Sequence, residues 1–447
     1  MNNVPKYLKI NKNHYRLQYF TDSIDIIKSS EGVIRIGSIP EISKLKARYE
    51  IVDNIVVVPE YHVSQEGDNR TGEEFCFWRS VYFKEPLGLY VGKRNNIEEV
   101  YDSLSLTFPY YFDRSMERII KKRWLNNLFQ KEIVEGDGYI KHKGLRIGLL
   151  GNEILIEEKG RLIFNASKKN TDNDGLISKE ISMIPHYGKK ANKIEVIVIG
   201  SGNGLVGTTS SFVLRLKEAV IWIDPCGHPS ITLANAGVNW NDITHILITH
   251  NHEDHISGFS ACLKHARDQN QKLRLITAPS VYEILKKQYK FLFNTMGGDI
   301  ELITLLPENI LRIGEIVIES RWNHHILPYG TLGLKFKGGG SCVGISGDTK
   351  YSKRIVNYLG NEKLKAEWFK ECDIIFHEVS YTSPVTVHTF WRDLQELGNE
   401  IKGEIIVYHT GDSNKLFRNA IEGATYLIRG NRNYEIRKTS SCLSDVD

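Results

Sequence analysis

Two patterns of apolar and polar positions divide the 447-residue chain. In residues 1–165, short apolar runs (GVIRIGS, DNIVVVPEY, LGLYVG, RIGLL, EILIEE) alternate with turn residues. Such alternation predicts strands, and so a small β-rich or α+β N-terminal domain. One segment departs from it: SMERIIKKRWLNNLFQKEI sets Met116, Ile119, Ile120, Trp124, Leu128 and Phe129 at helical spacing, with Arg118, Lys121, Lys122 and Arg123 opposite. That is one amphipathic helix with a solvated basic face. Residues 166–193 are polar, lysine-rich and without period, and read as a linker. After them KIEVIVIGSG, SFVLRL, AVIWIDP, HILITH, LRLITAP, CVGISGD, CDIIFHE and EIIVYH predict strands, most of them ending on a polar residue. Helix-like SGFSACLKHARDQNQ and SVYEILKKQYKFLF lie between them, so residues 194–447 read as an α/β domain with its chemistry at strand ends.

Composition narrows this picture in three ways. With 41% hydrophobic and 25% charged residues, the chain is long enough for two cores. A formal net charge of +4 provides no strong general attraction to nucleic acid or membrane. Six cysteines (Cys76, Cys226, Cys262, Cys342, Cys372, Cys442) are scattered without a C-x-x-C pair, and the first residues lack a signal-peptide apolar core. Reduced thiols and a cytoplasmic location are expected. No apolar run approaches the ~20 residues needed to cross a bilayer, so no membrane partner is expected. Residues 1–165 name no reaction, and no internal repeat is visible.

Chemistry concentrates in ITHNHEDHISGF, residues 248–259. His250, His252, Asp254 and His255 form H-x-H-x-D-H directly after a buried apolar run. Neutral imidazole and carboxylate are the usual zinc ligands, and a sharp loop between strand and helix can aim two pairs of them at neighbouring ions.

The ordered run IDP, HNHEDH, HHILPYGTLGLKF, SGDT, HEVSY, HTF and YHTGD, over about residues 194–430, resembles the metallo-β-lactamase superfamily. Within it the resemblance is to the ribonuclease Z branch, which includes tRNA 3′ processing endonucleases and small phosphodiesterases. It implies a four-layer αββα sandwich with two divalent ions at one edge, zinc before manganese. By this resemblance His250 and His252 hold one ion, and Asp254 and His255 the other. A histidine of NHHIL completes the first and His409 the second, while Asp348 bridges them and offsets the repulsion between two cations. His324 and His325 compete for the NHHIL role; His325 is preferred because Pro328 follows three positions later, ahead of TLG. HEVSYTSPVTVHTFW resembles the branch's HEAT and HST motifs, which makes His388 the acid that protonates the leaving oxygen and Glu378 the group that holds its imidazole. Asp254, His388 and Glu378 are thus the implied catalytic set. His377 is expected to be structural, and Asp224 to support the metal loop without binding an ion. IGSGNGLVGTTSS resembles the superfamily's first glycine-rich turn and lacks the features of a dinucleotide fingerprint.

Two departures bear on substrate. Only 22 residues separate His325 from Asp348, which leaves no room for the basic arm that clamps tRNA in ribonuclease Z enzymes. The branch's proline- and Arg-Asn-bearing loop is also missing beside the glycine turn, and the domain shows no basic stripe of the kind a duplex-sized RNA requires. The expected activity is a two-metal phosphodiesterase or nuclease acting on a nucleotide or single-stranded nucleic-acid phosphodiester. Hydrolysis of a lactone, thioester or amide, tRNA 3′ processing, and a non-enzymatic partner-binding role with a structural metal site are the alternatives. Relatives in this branch pair, so the resemblance also implies a homodimer.

Overall fold

The computed structural model describes residues 6–19, 22–58, 63–64, 67–68, 72–108, 129–151, 153–167, 191–295, 300–307, 309–325, 329–359, 366–382, 387–401, 403–411 and 416–438. The chain divides into two compact units, Met1–Met183 and Ile184–Asp447. Most of the linker read at 166–193 and most of the amphipathic helix read at 115–133 lie outside the described residues.

The second unit is a pair of facing sheets. One has eight strands, in the order Ile300–Thr304, Leu273–Thr277, His245–Leu247, Ala219–Ile223, Ser211–Leu216, Glu195–Gly200, Ala424–Gly430, Asn433–Lys438. The other has seven: Leu311–Ile313, Ile316–Trp322, Leu332–Gly338, Ser341–Ile345, Ile374–Glu378, Glu404–Tyr408, Arg418–Asn419. EVIVIG, AVIWI, SCVGI and IIFHE are buried at every position, as strands covered on both faces must be. Between the sheets Phe212 meets Phe376 and Tyr408 at centroid distances of 5.4 and 5.0 Å, and Phe376 meets Tyr426 at 5.2 Å. Outside them, helix Phe259–Asp268 buries Phe259, Leu263 and Ala266, and helix Trp391–Glu400 packs Leu394 and Leu397 with Ile375 and Val407. The layers are therefore αββα. In each sheet a run of parallel strands delivers its carboxyl ends to one edge, where the chain continues into Asp224, His250, Asp348, Glu378 and His409.

The first unit repeats this topology. Strands His14–Tyr19, Asp22–Ser29 and Gly32–Ile36 are antiparallel neighbours, and Ile55–Val58, Leu89–Gly92 and Lys131–Ile133 then add in parallel. Glu195–Gly200 through Ile300–Thr304 follow the same order and senses in the second unit. In both units an antiparallel four-strand meander comes next, here Gly138–His142, Leu145–Leu150, Glu153–Glu158 and Arg161–Ser167. What differs is the connections. Two residues, 151–152, join the second and third meander strands of the first unit, whereas nine, 323–331, do so in the second. Among the described residues, the first unit also lacks any counterpart of strands Ile374–Glu378 and Glu404–Tyr408.

The expectation of one helix in residues 1–165 needs correction, because helices Ile42–Arg48, Glu73–Phe83 and Arg94–Thr107 make the parallel crossovers. Arg94–Thr107 buries Ile97, Val100, Leu104 and Thr107, a sparse stripe that a largely polar sequence conceals. Glu73–Phe83 contributes to an ionic cluster. Arg35, fully buried, donates to Asp53 Oδ2 at 2.7 Å and to both Glu73 oxygens at 2.9 Å, Lys46 reaches Asp53 at 2.7 Å, and Tyr90 Oη donates to Glu73 at 2.6 Å. Burial alone would raise both carboxyl pKa values; Arg35, with Lys46 at Asp53, overrules it and holds Asp53 and Glu73 below their ordinary range.

Stability from these two carboxylates is present above their unfolded values near pH ~4 and is lost as pH falls through the depressed folded ones. Arg35→Met leaves the buried Glu73 carboxylate without a cation and Asp53 with Lys46 alone, and should destabilise the first unit by about 3–5 kcal/mol in urea unfolding at neutral pH. The penalty should shrink as pH is lowered towards ~4, where a protonated carboxyl no longer needs the cation. A pH-independent penalty would mean that Arg35 acts through packing alone.

Candidate metal centre

Strand His245–Leu247 ends in a turn that is clamped before the first histidine. Thr249 donates through its backbone N and its Oγ1 to Asp224, both at 2.7 Å, and Asp224 itself takes a left-handed φ of 50°. The same carboxylate lies 2.8 Å from His255 Nδ1. A proton held there leaves His255 Nε2 as the inward-facing nitrogen, the arrangement that orients metal-ligating histidines. Asp224, expected beside this loop, thus touches both Thr249 and His255. The short helix Glu253–Ile256 then presents Asp254 and His255 from its first turn.

Three further segments converge on this turn. His325 Nε2 lies 3.3 Å from His252 Nδ1, which is 3.1 Å from His250 Nε2. Asp348 Oδ2 is 3.9 Å from both His250 Nε2 and His325 Nε2, and 3.4 Å from His409 Nε2. His409 Nε2 stands 3.0 Å from Asp254 Oδ2, and His255 Nε2 3.3 Å from Asp348 Oδ1. Donor atoms within 4.8 Å of one another thus form three groups: His250, His252, His325 and Asp348; Asp254, His255 and His409; and Asp348, His388 and His409. His324 is exposed, and its carbonyl accepts from Lys350 N at 2.6 Å. All seven residues named as ligands from the sequence therefore meet at one place.

The donors fit a divalent cation. His255 Nε2 and Asp348 Oδ1 are buried without a hydrogen-bond partner although they face each other. Burial is the main influence that keeps His250 and His325 neutral and lowers His252 to about 4, so their lone pairs are available. His255 goes the other way: burial opposes its charge, but Asp348, Asp254 and Asp224 raise its pKa well above the usual value. That excess of carboxylate charge calls for a cation, and a set of imidazoles with carboxylates is one that zinc accepts.

Beside the clusters stands a second arrangement. Glu378, wholly buried, places Oε2 2.9 Å from His388 Nδ1 and accepts at Oε1 from Thr349 N at 2.8 Å and Thr389 N at 3.2 Å. Burial lowers the affinity of His388 for a proton, yet Glu378 first and Asp348 next raise its pKa to about 9. Its side chain is 26% exposed, which leaves the ring open to a ligand at the margin of the clusters. His377 Nδ1 donates to the Glu378 carbonyl at 2.7 Å, and the ring is buried outside the three donor groups.

Sequence reasoning missed the braces. His409 takes a φ of 60° and donates its N–H to Ser201 O at 2.7 Å. Glu422 in turn accepts from Ser201 N at 3.1 Å and Thr208 Oγ1 at 3.2 Å, which ties the glycine-rich turn to the His409 backbone. Asn323 donates to the carbonyls of Ser346 and Asp348 at 2.7 and 3.0 Å. No local pattern marks Glu422, which acts on a residue 221 positions away; Asn323 lies within two residues of His325 and was passed over for the histidines.

Paired sheets with a His/Asp centre at the strand ends define a hydrolase of the metallo-β-lactamase fold. The chain belongs to the family of the Anti-Pycsar protein Apyc1, whose profile matches residues 194–434. It is 27% identical over 231 residues to the cGMP-dependent 3′,5′-cGMP phosphodiesterase A of Dictyostelium discoideum, a match covering 48% of this chain and 26% of that protein. It is 27% identical over 221 residues to the Ribonuclease Z of Clostridium novyi (strain NT), covering 48% and 63%. To the Anti-Pycsar protein Apyc1 of Paenibacillus sp. (strain J14) it is 25% identical over 231 residues, covering 48% and 87%. The matched stretch thus spans about a quarter of the Dictyostelium relative. No helix among the described residues is long and apolar enough to cross a membrane.

Gly347 provides a direct test of the turn that carries Asp348. Its φ is 59°, and a Cβ would lie 2.2 Å from the Leu332 carbonyl oxygen, a backbone atom that cannot yield. Gly347→Ala should cost at least ~1–3 kcal/mol in urea unfolding of the second unit. Gly136→Ala, also at positive φ but with no atom within 4 Å, separates backbone strain from the clash.

Proposed function

We propose that residues 194–434 form a two-metal phosphodiesterase acting on a nucleotide phosphodiester, with a nucleoside 3′,5′-cyclic phosphate the leading substrate. The observation that carries this reading is the His388–Glu378 contact of 2.9 Å at the margin of the His/Asp clusters. His250, His252 and His325 with Asp348 would hold one ion, and Asp254, His255 and His409 with Asp348 the other, zinc before manganese. Two divalent ions bound there supply charge that screens a phosphate and lowers the pKa of a water.

The chain's own residues supply the rest. With its Nδ1 turned to the Glu378 carboxylate at 2.9 Å, His388 would carry on Nε2 the proton that the departing oxygen needs. Water adds to phosphorus and gives up one proton to the solvent, the bond from phosphorus to the sugar oxygen breaks, and His388 protonates that oxygen, which otherwise leaves poorly as an alkoxide; His388 then regains a proton from the solvent. A lactone or thioester has less use for such an acid. The name of the Dictyostelium relative, a 3′,5′-cGMP phosphodiesterase, supports the cyclic nucleotide over the alternatives. The short stretch from His325 to Asp348 weighs against a long RNA in spite of the Ribonuclease Z relative.

Purified protein should contain up to two divalent ions per chain by mass-spectrometric metal analysis. Across cyclic mononucleotides, cyclic dinucleotides, single-stranded RNA and DNA, precursor tRNA, a lactone and bis(p-nitrophenyl) phosphate, phosphodiester turnover should dominate. His388→Ala should keep its metals and lose about 100- to 10,000-fold in rate on the natural ester, with little loss on the p-nitrophenyl ester, whose leaving group needs no proton. Equal, mild losses on both would remove His388 from the reaction and with it the case against lactones.

A further inference from the structure

Asp348 joins His250, His252 and His325 to His409, so the direction of its carboxylate matters more than that of any single histidine. Its side chain leaves a tight turn of Ser346, Gly347 and Asp348, with Gly347 in the left-handed region. One amide group spans that turn. Asn323 Nδ2 donates to Ser346 O at 2.7 Å and to Asp348 O at 3.0 Å, which uses both of its hydrogens. Asn323 is fixed in its own backbone, its N–H donating to Thr331 O at 2.8 Å.

The orientation of the amide is also set. Arg321 Nε donates to Asn323 Oδ1 at 3.3 Å. A flipped amide would place nitrogen against that N–H and oxygen against two carbonyl oxygens, and would forfeit all three contacts. Arg321 cannot swing away, because it is 1% exposed and its guanidinium carbon lies 4.7 and 4.4 Å from the ring centroids of Trp368 and Phe369. Gly333 clears the space: a Cβ there would stand 2.9 Å from Asn323 Oδ1 and 3.0 Å from Arg321 Nε.

We propose that Asn323 is a positioning residue of the metal centre, which fixes the carbonyls on both sides of Gly347 and through them aims the Asp348 carboxylate, with Arg321 fixing the amide. This rests on the reading of the His/Asp clusters as a metal centre. Asn323→Asp tests it almost without change of shape, since it puts an oxygen where two carbonyl oxygens expect hydrogens. Arg321→Lys removes the planar Nε–H donor while keeping a long basic side chain in the same space.

The 447-residue wild type, Asn323→Asp and Arg321→Lys are stripped of metal and titrated with Co2+ alone. Visible d–d absorption reports ligand geometry, a chromophoric chelator reports affinity by competition, and circular dichroism reports folding. Asn323→Asp should fold, bind Co2+ about 10- to 100-fold more weakly and give an altered d–d spectrum, with turnover reduced mainly in kcat. Arg321→Lys should shift the same readouts in the same direction by less. A purely structural role would lower the melting temperature and leave the spectrum and the Co2+ affinity of folded protein unchanged; that result overturns the proposal. If Asn323→Asp does not fold, Arg321→Lys decides: a wild-type spectrum and affinity overturn the proposal, and shifted ones support it. Wild type that binds no Co2+ would defeat the metal-centre reading itself, and this inference with it.

Discussion

A single buried carboxylate, Glu378, holds the reacting edge of the second unit together. It ends the strand Ile374–Glu378, where no water can solvate it, and must find its hydrogen-bond donors in neighbouring segments. It takes one from Thr349, next to Asp348, and one from Thr389, next to His388, and turns its other oxygen to the His388 ring. Desolvation thus becomes a positioning force. The turn that bears Asp348 and the segment that bears the half-buried His388 are held by one buried carboxylate that needs donors from both.

Strain gathers around that edge. Asp224 and His409 both adopt left-handed backbone at strand exits, and Gly347 does so between them in the chain. Each such non-glycine residue costs on the order of 1–3 kcal/mol and persists only where the surroundings over-determine it. Here the surroundings are identifiable: Thr249 and His255 at Asp224, the Ser201 carbonyl and behind it Glu422 at His409. The apolar layers between and outside the sheets supply the rigidity against which these braces act.

What the sequence disclosed follows from the range of each interaction. HNHEDH is local, so its spacing alone reveals that His250, His252, Asp254 and His255 share a turn. His325, Asp348 and His409 come from distant strand ends and were legible only as an ordered set of motifs, yet the sheets bring them within hydrogen-bonding distance of that turn. The discrimination of His325 from exposed His324 is a matter of side-chain direction in a loop, which spacing hardly constrains. Asn323, Arg321 and Glu422 act through backbone atoms and carry no motif at all. The topology repeated in the first unit was invisible because strand order depends on where apolar alternation falls, and DSIDIIKSSEGVIRI and SFVLRLKEAVIWI satisfy it with different residues.

That repetition has a consequence for how such a protein tolerates change. The same meander closes with two residues at 151–152 and with nine at 323–331, the latter carrying Asn323 and His325. In polymer terms, the longer closure costs only about 1 kcal/mol of loop entropy, which is small beside the burial that holds either sandwich. Scaffold and chemistry are therefore modular: insertions and deletions confined to these strand-end connections leave the layers standing, and such connections are where an engineer can graft or erase recognition without refounding the fold.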